Sequence, residues 1–463
     1  MKAYDYQEQG VEAIRDSYRH GCRAPLYVLP TGGGKTFVFT YITKAAAAKG
    51  SRVLILVHRV ELVRQTSEAL RKFGVYHGLI NPNYKPDISA NVQVASVQTL
   101  VKRLHRYAAP DLIIVDEAHH ASAGTWRTII AAYPQAKVLG VTATPIRGDG
   151  QGLDEVFDDM IVGPQIADLI QRGFLVKPIV YAPKEKLDLT GLRTRMGDYE
   201  KTALAELMDK PTITGDVIST YTRLCPGTTT VVFCVSVAHA EHVAEQFNRA
   251  GYLFKSIDGK MDDETRKRIL SDLEHKRIHG ITSCDLVSEG TDIPVIETAI
   301  LLRPTQSLAL YIQQIGRALR KSQGKQFARI IDHVGNVLLH GMPDAIREWT
   351  LQGEKVRRGK RELSLDESLK VKQCMNCFAF DVPVPVCRNC GHVHPIEERD
   401  IQHVDGELIE VSEEAAELLR VQKRREEARA QTYEDLLRIE KERGYKSGWA
   451  RYRWEARQRK QVA

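Results

Sequence analysis

The sequence predicts an α/β protein with two tandem parallel-sheet domains, followed by a small four-cysteine element and a helical basic tail. Three observations carry this expectation. Two blocks of the chain alternate near-continuous apolar runs of strand length with amphipathic helical stretches, the pattern of parallel sheets covered on both faces. A chain of 463 residues is too long for one ordinary core, so two or three domains are expected. After about Trp349 the alternation stops, and charged residues and paired cysteines take over.

In the first block the strand candidates are 25–29, 52–57, 92–97, 112–115 and 137–141, with helices beginning at Lys35, Arg59 and near Gln98. In the second, strands are expected at 229–235, 253–257, 280–283, 298–302 and 328–331, and helices at 238–250, 263–274 and 307–319. Between the blocks, Pro178, Pro183, Gly191, Gly197 and Pro211 interrupt a partly helical stretch. The expected division is a first domain at 1–162, a connection at 163–222 and a second domain at 223–350. A charged linker at 351–370, the cysteine element at 371–396 and a basic tail at 397–463, helical over 412–443, complete the chain.

Composition excludes some classes. The longest apolar runs, such as 53–57 and 112–115, are far short of a membrane span. Met1-Lys-Ala-Tyr-Asp-Tyr6 has no apolar signal core, so a cytoplasmic protein without a membrane role is expected. Of the net charge of +7, residues 441–463 carry +6, with eight Lys or Arg against two Glu. A basic tail on a nearly neutral body points to nucleic acid. Cys22, Cys225, Cys234 and Cys284 are scattered, as buried free thiols are. The remaining four are paired, which in a cytosolic chain suggests metal.

Val28-Leu-Pro-Thr-Gly-Gly-Gly-Lys-Thr-Phe37 leaves an apolar run and enters a helix. A loop so placed aims backbone N–H groups at phosphate, aided by the helix dipole. Gly32, Gly33 and Gly34 admit close approach, Lys35 suits the β- and γ-phosphates of ATP, and Thr36 suits Mg²⁺. The general phosphate-loop pattern has a glycine where this chain has Leu29. Ile113-Ile-Val-Asp-Glu-Ala-His-His120 sets Asp116 and Glu117 just past a buried strand, where consecutive acids are unfavourable without a purpose. Asp116 suits Mg²⁺ through water, and Glu117 suits activation of the attacking water.

With these in place the chain resembles superfamily 2 helicases and translocases with two RecA-like domains, over about residues 4–335. Leu29-Pro-Thr31-Gly-Gly-Gly-Lys-Thr36 resembles their motif I, and Asp116-Glu-Ala-His119 motif II in its DEAH form. The resemblance implies an adenine-reading role for Gln7. It implies coupling roles for His119 and for Thr142 and Thr144 of the motif III-like Val141-Thr-Ala-Thr-Pro145. Leu56-Val-His-Arg59 and Ala95-Ser-Val-Gln98-Thr99-Leu100 resemble strand-contacting motifs, which implies nucleic-acid contacts at Arg59, Gln98 and Thr99. Ser288-Glu-Gly290-Thr-Asp292 resembles motif V, implying a nucleic-acid contact at Ser288 and nucleotide contacts at Gly290 and Asp292. Gln313-Gln-Ile-Gly-Arg-Ala-Leu-Arg320 resembles motif VI, with Gln314 where relatives often have Arg. Arg317 and Arg320 lie three apart on a predicted helix and share a face. The resemblance makes them arginine fingers from the second domain, with Gln313 sensing nucleotide.

Gln165-Ile-Ala-Asp-Leu-Ile-Gln-Arg-Gly-Phe-Leu-Val-Lys-Pro178 and Ile300-Leu-Leu-Arg-Pro-Thr-Gln-Ser307 are similar to the bacterial RadD-like group and related phage helicases. A monomeric motor on nucleic acid follows, DNA favoured over RNA, in replication, recombination or repair. An RNA helicase and the motor subunit of a restriction or defence assembly stay open as alternatives. Cys374-x-x-Cys377 and Cys387-x-x-Cys390 form two knuckles for a closed, structural Zn²⁺ site. The apolar interior at 378–386 favours packing or a protein partner over phosphate. In the tail, Tyr445, Trp449, Arg451 and Arg453 interleave aromatics with arginine, which suits either nucleic acid or a docked helix.

Overall fold

The computed structural model describes residues 3–58, 60–82, 84–122, 124–147, 150–183, 194, 195, 198, 199, 204, 211–284 and 293–353. It also describes 372–393 apart from 375, 378, 382 and 383, and then 430, 432–442, 450 and 454. Met1–Pro395 forms one compact unit and Ile396–Ala463 a second.

The first sheet of the larger unit contains β1 (Pro25–Val28), β2 (Val53–Val57), β3 (Gly78–Ile80), β4 (Val92–Ser96), β5 (Leu112–Asp116), β6 (Lys137–Thr142) and β7 (Asp159–Val162). Their order is β3-β4-β2-β5-β6-β1-β7, every pairing parallel. The inner strands are buried along their whole length, which is why they read as unbroken apolar runs. Helices α1 (Asp5–Arg19), α2 (Lys35–Ala47) and α3 (Val60–Lys72) cover the face carrying Tyr27, Ile55 and Ile114. Helices α4 (Val97–Leu100) and α5 (Gly124–Ala131) cover the other face, with Leu26, Leu54 and Ile113.

After α6 (Ile166–Gln171), the second sheet is built from β8 (Lys177–Tyr181), β11 (Thr230–Phe233), β12 (Phe254–Ile257), β13 (Gly280–Ser283), β14 (Thr298–Leu301) and β15 (Phe327–Asp332). A hairpin of β16 (Lys372–Gln373) and β17 (Phe380–Asp381) extends it, and β9 (Thr194–Arg195) pairs separately with β10 (Asp198–Tyr199). The order is β12-β13-β11-β14-β15-β8-β17-β16, parallel up to β8 and antiparallel beyond. Its helices are α7 (Pro211–Leu224), α8 (Val237–Arg249), α9 (Asp263–Glu274), α10 (Leu308–Ala318) and α11 (Asn336–His340). Ser236, Asp262 and Ser307 cap α8, α9 and α10, each side chain accepting an N–H from the first turn.

All ten expected strands form, with shifts of one or two residues at their ends. Among the described residues seven further strands were not foreseen: the two-residue β9, β10, β16 and β17, and the longer β3, β7 and β8. β3 is a three-residue edge strand, and β7 is an edge strand whose residues are half-buried or exposed. β8 lies in the stretch expected to be connection, where Pro178 read as a break. Pro178 is the register partner of Ala328 in β15, and among the described residues β17 meets β8 at Val180 only. A missing N–H is tolerated there.

Beyond α11 the chain returns to the first sheet as a strap. Leu153 N donates to Leu351 O at 2.6 Å, and Gln151 bridges to Gly353. Trp349 and Leu351 pack on the outer core of the first sheet. The Gln165 side chain donates to Arg347 O (3.0 Å) and accepts from Arg347 N (2.8 Å). The smaller unit contains α12 (Tyr433–Glu442), whose Leu436 and Ile439 pack with Ala430 and Ala450. The rest of the expected tail helix, at 412–432, and the linker at 354–370 lie essentially outside the described residues. No described helix is long and apolar enough to cross a membrane.

Candidate nucleotide site between the two sheets

The phosphate loop hangs between β1 and α2. Leu29 is fully buried, its N–H bonded to Thr142 O at 2.9 Å, so this position anchors the loop in the core. The turn follows through Pro30, whose carbonyl accepts from Gly33 N at 3.0 Å. Gly32 and Gly34 take φ of 86° and 90°, a region that excludes most side chains. A methyl on Gly33 would lie 2.9 Å from Leu29 Cγ. Helix α2 then starts at Lys35 with no side-chain cap and no acid in its first turn, which leaves its N–H groups to an anion.

Helix α1 leans on this loop. Tyr6 OH donates to Gly33 O at 2.9 Å, and Gln7 Nε2 donates to the same carbonyl at 3.4 Å. Burial pushes the Tyr6 phenol up to about 12, so it remains a donor at neutral pH. Gln7 is buried, with its Oε1 accepting from Tyr4 N.

The end of β5 presents the acids. Asp116 is buried and its Oδ1 accepts from Glu117 N at 3.0 Å. Glu117 takes φ 51° and ψ 55°, an unfavourable left-handed conformation for a side chain of this size. Its Oε2 lies 3.4 Å from His119 Nδ1, which is 3.2 Å from Thr142 Oγ1. Thr142 Oγ1 donates to Thr144 O and accepts from Thr144 N. A continuous polar chain therefore runs from Glu117 to the end of β6. It joins the three residues expected to couple, His119, Thr142 and Thr144.

The second sheet contributes α10, in which Gln313 and Arg317 are buried. The helix backbone meets the phosphate loop directly, since a methyl on Gly316 would lie 2.8 Å from Thr31 Cβ. Just past the helix, Arg320 Cγ would be 3.4 Å from a methyl on Gly32. Arg320 also bridges to Leu175, and Val176 N donates to Leu319 O at 2.9 Å. Gly316→Ala is accordingly expected to lift α10 off the loop and lower ATP turnover by about 10²-fold, as small displacements at reacting groups do. Steady-state ATPase assays check this; wild-type turnover in the variant contradicts the close-approach argument.

Residues 1–147 match the family "Type III restriction enzyme, res subunit", and residues 215–322 match "Helicase conserved C-terminal domain". A 51.5 kDa protein of a Lactococcus phage is 35% identical over 373 residues, covering 80% of this chain and 78% of the phage protein. The chain belongs to the superfamily 2 helicases. The Saccharomyces cerevisiae protein named ATP-dependent helicase IRC3 is 31% identical over 352 residues, covering 72% of this chain and 51% of its own length. The chain thus spans about half of that relative. A fragment named as an HsdR subunit of a type I restriction enzyme from Vibrio vulnificus shares the fold, with TM-score 0.58, 22% identity, 73% of this chain and 65% of that one.

Arg59, Ser288, Gly290 and Asp292 are outside the described residues. Gln98 is exposed at the start of α4, accepting from Ser96 Oγ at 2.9 Å, while Thr99 is buried. Two features of this helicase escaped the sequence reading. One is a ring contact of His120 with both His119 (4.2 Å) and His58 (4.8 Å), next to motif II. The other is the need for glycine at 316, visible in the sequence only as one letter of a motif.

The cysteine element of the helicase docks on the second sheet. Its four sulfur atoms lie within 4.8 Å of one another, with Cys374–Cys390 and Cys377–Cys387 each at 3.7 Å. A tetrahedral ion with arms of about 2.3 Å requires sulfur separations near 3.8 Å, so the set fits zinc. Lys177 Nζ donates to Arg388 O at 2.9 Å, and β17 pairs with β8. The buried Ala379 belongs to the apolar interior expected to pack.

Proposed function

We propose that this helicase is a DNA motor that hydrolyses ATP between domains at 1–162 and 223–350 and acts in replication, recombination or repair. Lys35 and the backbone of Thr31 to Thr36 hold the phosphates, and Gln7 reads adenine. Thr36 and Asp116 hold Mg²⁺, Glu117 activates the attacking water, and Arg317 and Arg320 stabilise charge on the γ-phosphate. Gln313, Gly290 and Asp292 sense the nucleotide, while Arg59, Gln98, Thr99 and Ser288 face the strand. The observation that supports this most is α10 seated on the phosphate loop, Gly316 against Thr31 and Arg320 beside Gly32.

The test is ATPase activity with single-stranded DNA, duplex, forked DNA and RNA, alongside Lys35→Ala. Stimulation by DNA that Lys35→Ala abolishes is expected; stimulation by RNA alone overturns the DNA reading. The match to the family of restriction subunits supports a second reading, a motor subunit working with a separate nuclease. Copurification with a nuclease distinguishes it.

Cys374, Cys377, Cys387 and Cys390 hold one structural Zn²⁺, which keeps the element folded against β8. Metal analysis is expected to find one zinc per chain, lost in Cys377→Ser together with a lowered melting temperature. A full zinc complement in that variant contradicts the ligand set. The element or the basic tail is also the surface available to a protein partner, and the setting is the cytoplasm of a bacterial or phage-infected cell.

A further inference from the structure

Lys325 lies in the turn between α10 and β15, where Gly324 takes φ 79° and lets the chain double back. Its Nζ is directed at three backbone carbonyls: Ile296 O at 2.5 Å, Ala318 O at 2.5 Å and Arg320 O at 2.7 Å. Three acceptors use all three protons of an ammonium. One of the carbonyls, that of Ala318, ends the helix that carries Arg317, and a second, two residues on, belongs to Arg320 itself. The third lies four residues after Asp292, in the segment leaving the motif V-like stretch.

Burial pulls the amine down to about 7, with the Glu297 carboxylate raising it and the Arg320 guanidinium lowering it. A buried amine directed at three backbone carbonyls does more than a surface lysine needs to do at a helix end. Arg320 is held at its other side by the bridge to Leu175. Its backbone is therefore gripped from two directions, leaving only the side chain to reach over Gly32.

We propose that Lys325 is a positioning residue for hydrolysis, tying the end of α10, and with it the base of Arg320, to the segment that follows motif V. This rests on the reading of Arg320 as an arginine finger. The Lys325 amine is directed at backbone carbonyls, and it sets where Arg320 starts from.

ATPase kinetics with saturating single-stranded DNA test it, using Lys325→Met, Lys325→Arg, Arg320→Ala and the Lys325→Met/Arg320→Ala double variant. Lys325→Met is expected to lower kcat by about 10- to 100-fold. Its KM for ATP and its DNA affinity are expected to stay within about twofold of wild type, and Lys325→Arg to recover part of the loss. Because the effect passes through Arg320, the double variant is expected to be no slower than Arg320→Ala. A wild-type kcat in Lys325→Met overturns the proposal, as does a loss that multiplies with that of Arg320→Ala. A parallel rise in KM and fall in DNA affinity also overturns it, marking a structural role only. Should Lys325→Met fail to fold, Lys325→Gln is read by the same criteria. Full activity in Arg320→Ala defeats the finger reading itself, whereas an inactive Arg320→Ala beside an active Lys325→Met defeats only the inference about Lys325.

Discussion

Glu117→Gln is expected to lower ATP turnover by about 10³-fold while ATP affinity stays within a few-fold of wild type, the range lost with a general base. The substitution keeps the size of the side chain and its strained backbone, φ 51°, and removes only the ability to accept a proton. Binding is held by the loop on the other side of the site, with its glycines and the start of α2, and those do not change. His119, 3.4 Å from the carboxylate, loses its charged neighbour but keeps Thr142. Fluorescent-nucleotide titration and steady-state kinetics separate the two effects. Turnover within tenfold of wild type removes Glu117 from the role assigned to it.

Arg320→Ala is expected to have an effect of similar size, about 10³-fold on turnover, or roughly 4 kcal/mol of transition-state stabilisation. On the proposed assignment the charge it removes acts on the γ-phosphate, so ADP affinity is expected to be unaffected. Its position supports the magnitude: the backbone is bridged to Leu175 and the side-chain Cγ lies beside Gly32, in the loop proposed to hold the phosphates. Affinity for ADP with aluminium fluoride, compared with ADP alone, isolates the term. An equal loss for both ligands, or a loss in neither, contradicts the finger assignment.

Much of this architecture is legible in the sequence because each signal is local. Val53–Val57 and Leu112–Asp116 are continuous apolar strands, and neighbours on both faces explain why. Gly32, Gly34 and Lys35 announce a phosphate loop within a few residues, and paired cysteine knuckles announce a metal cluster. What escaped depends on distant parts of the chain. β8 is a strand only because β15 lies beside it, and Pro178 argues locally for the opposite. The strap over Trp349 and Leu351 has no periodic pattern, since its partners are single backbone groups near Leu153. Leu29 departs from the general loop pattern, and its burial shows that this position serves the core. That Arg317 is buried, on a helix whose Gly316 lies against Thr31, is likewise a matter of tertiary packing.

The strap has a consequence for the proposed cycle. The chain passes from the first sheet to the second before β8, and returns through Arg347, Trp349 and Leu351. The halves are therefore leashed twice. Each time the cleft relaxes after hydrolysis, the two sides part by no more than the leash allows. Meeting again is then a local search at high effective concentration, with little translational entropy to give up. A motor that must open and close once per ATP gains from this in a simple way: Arg320 is never far from the next phosphate.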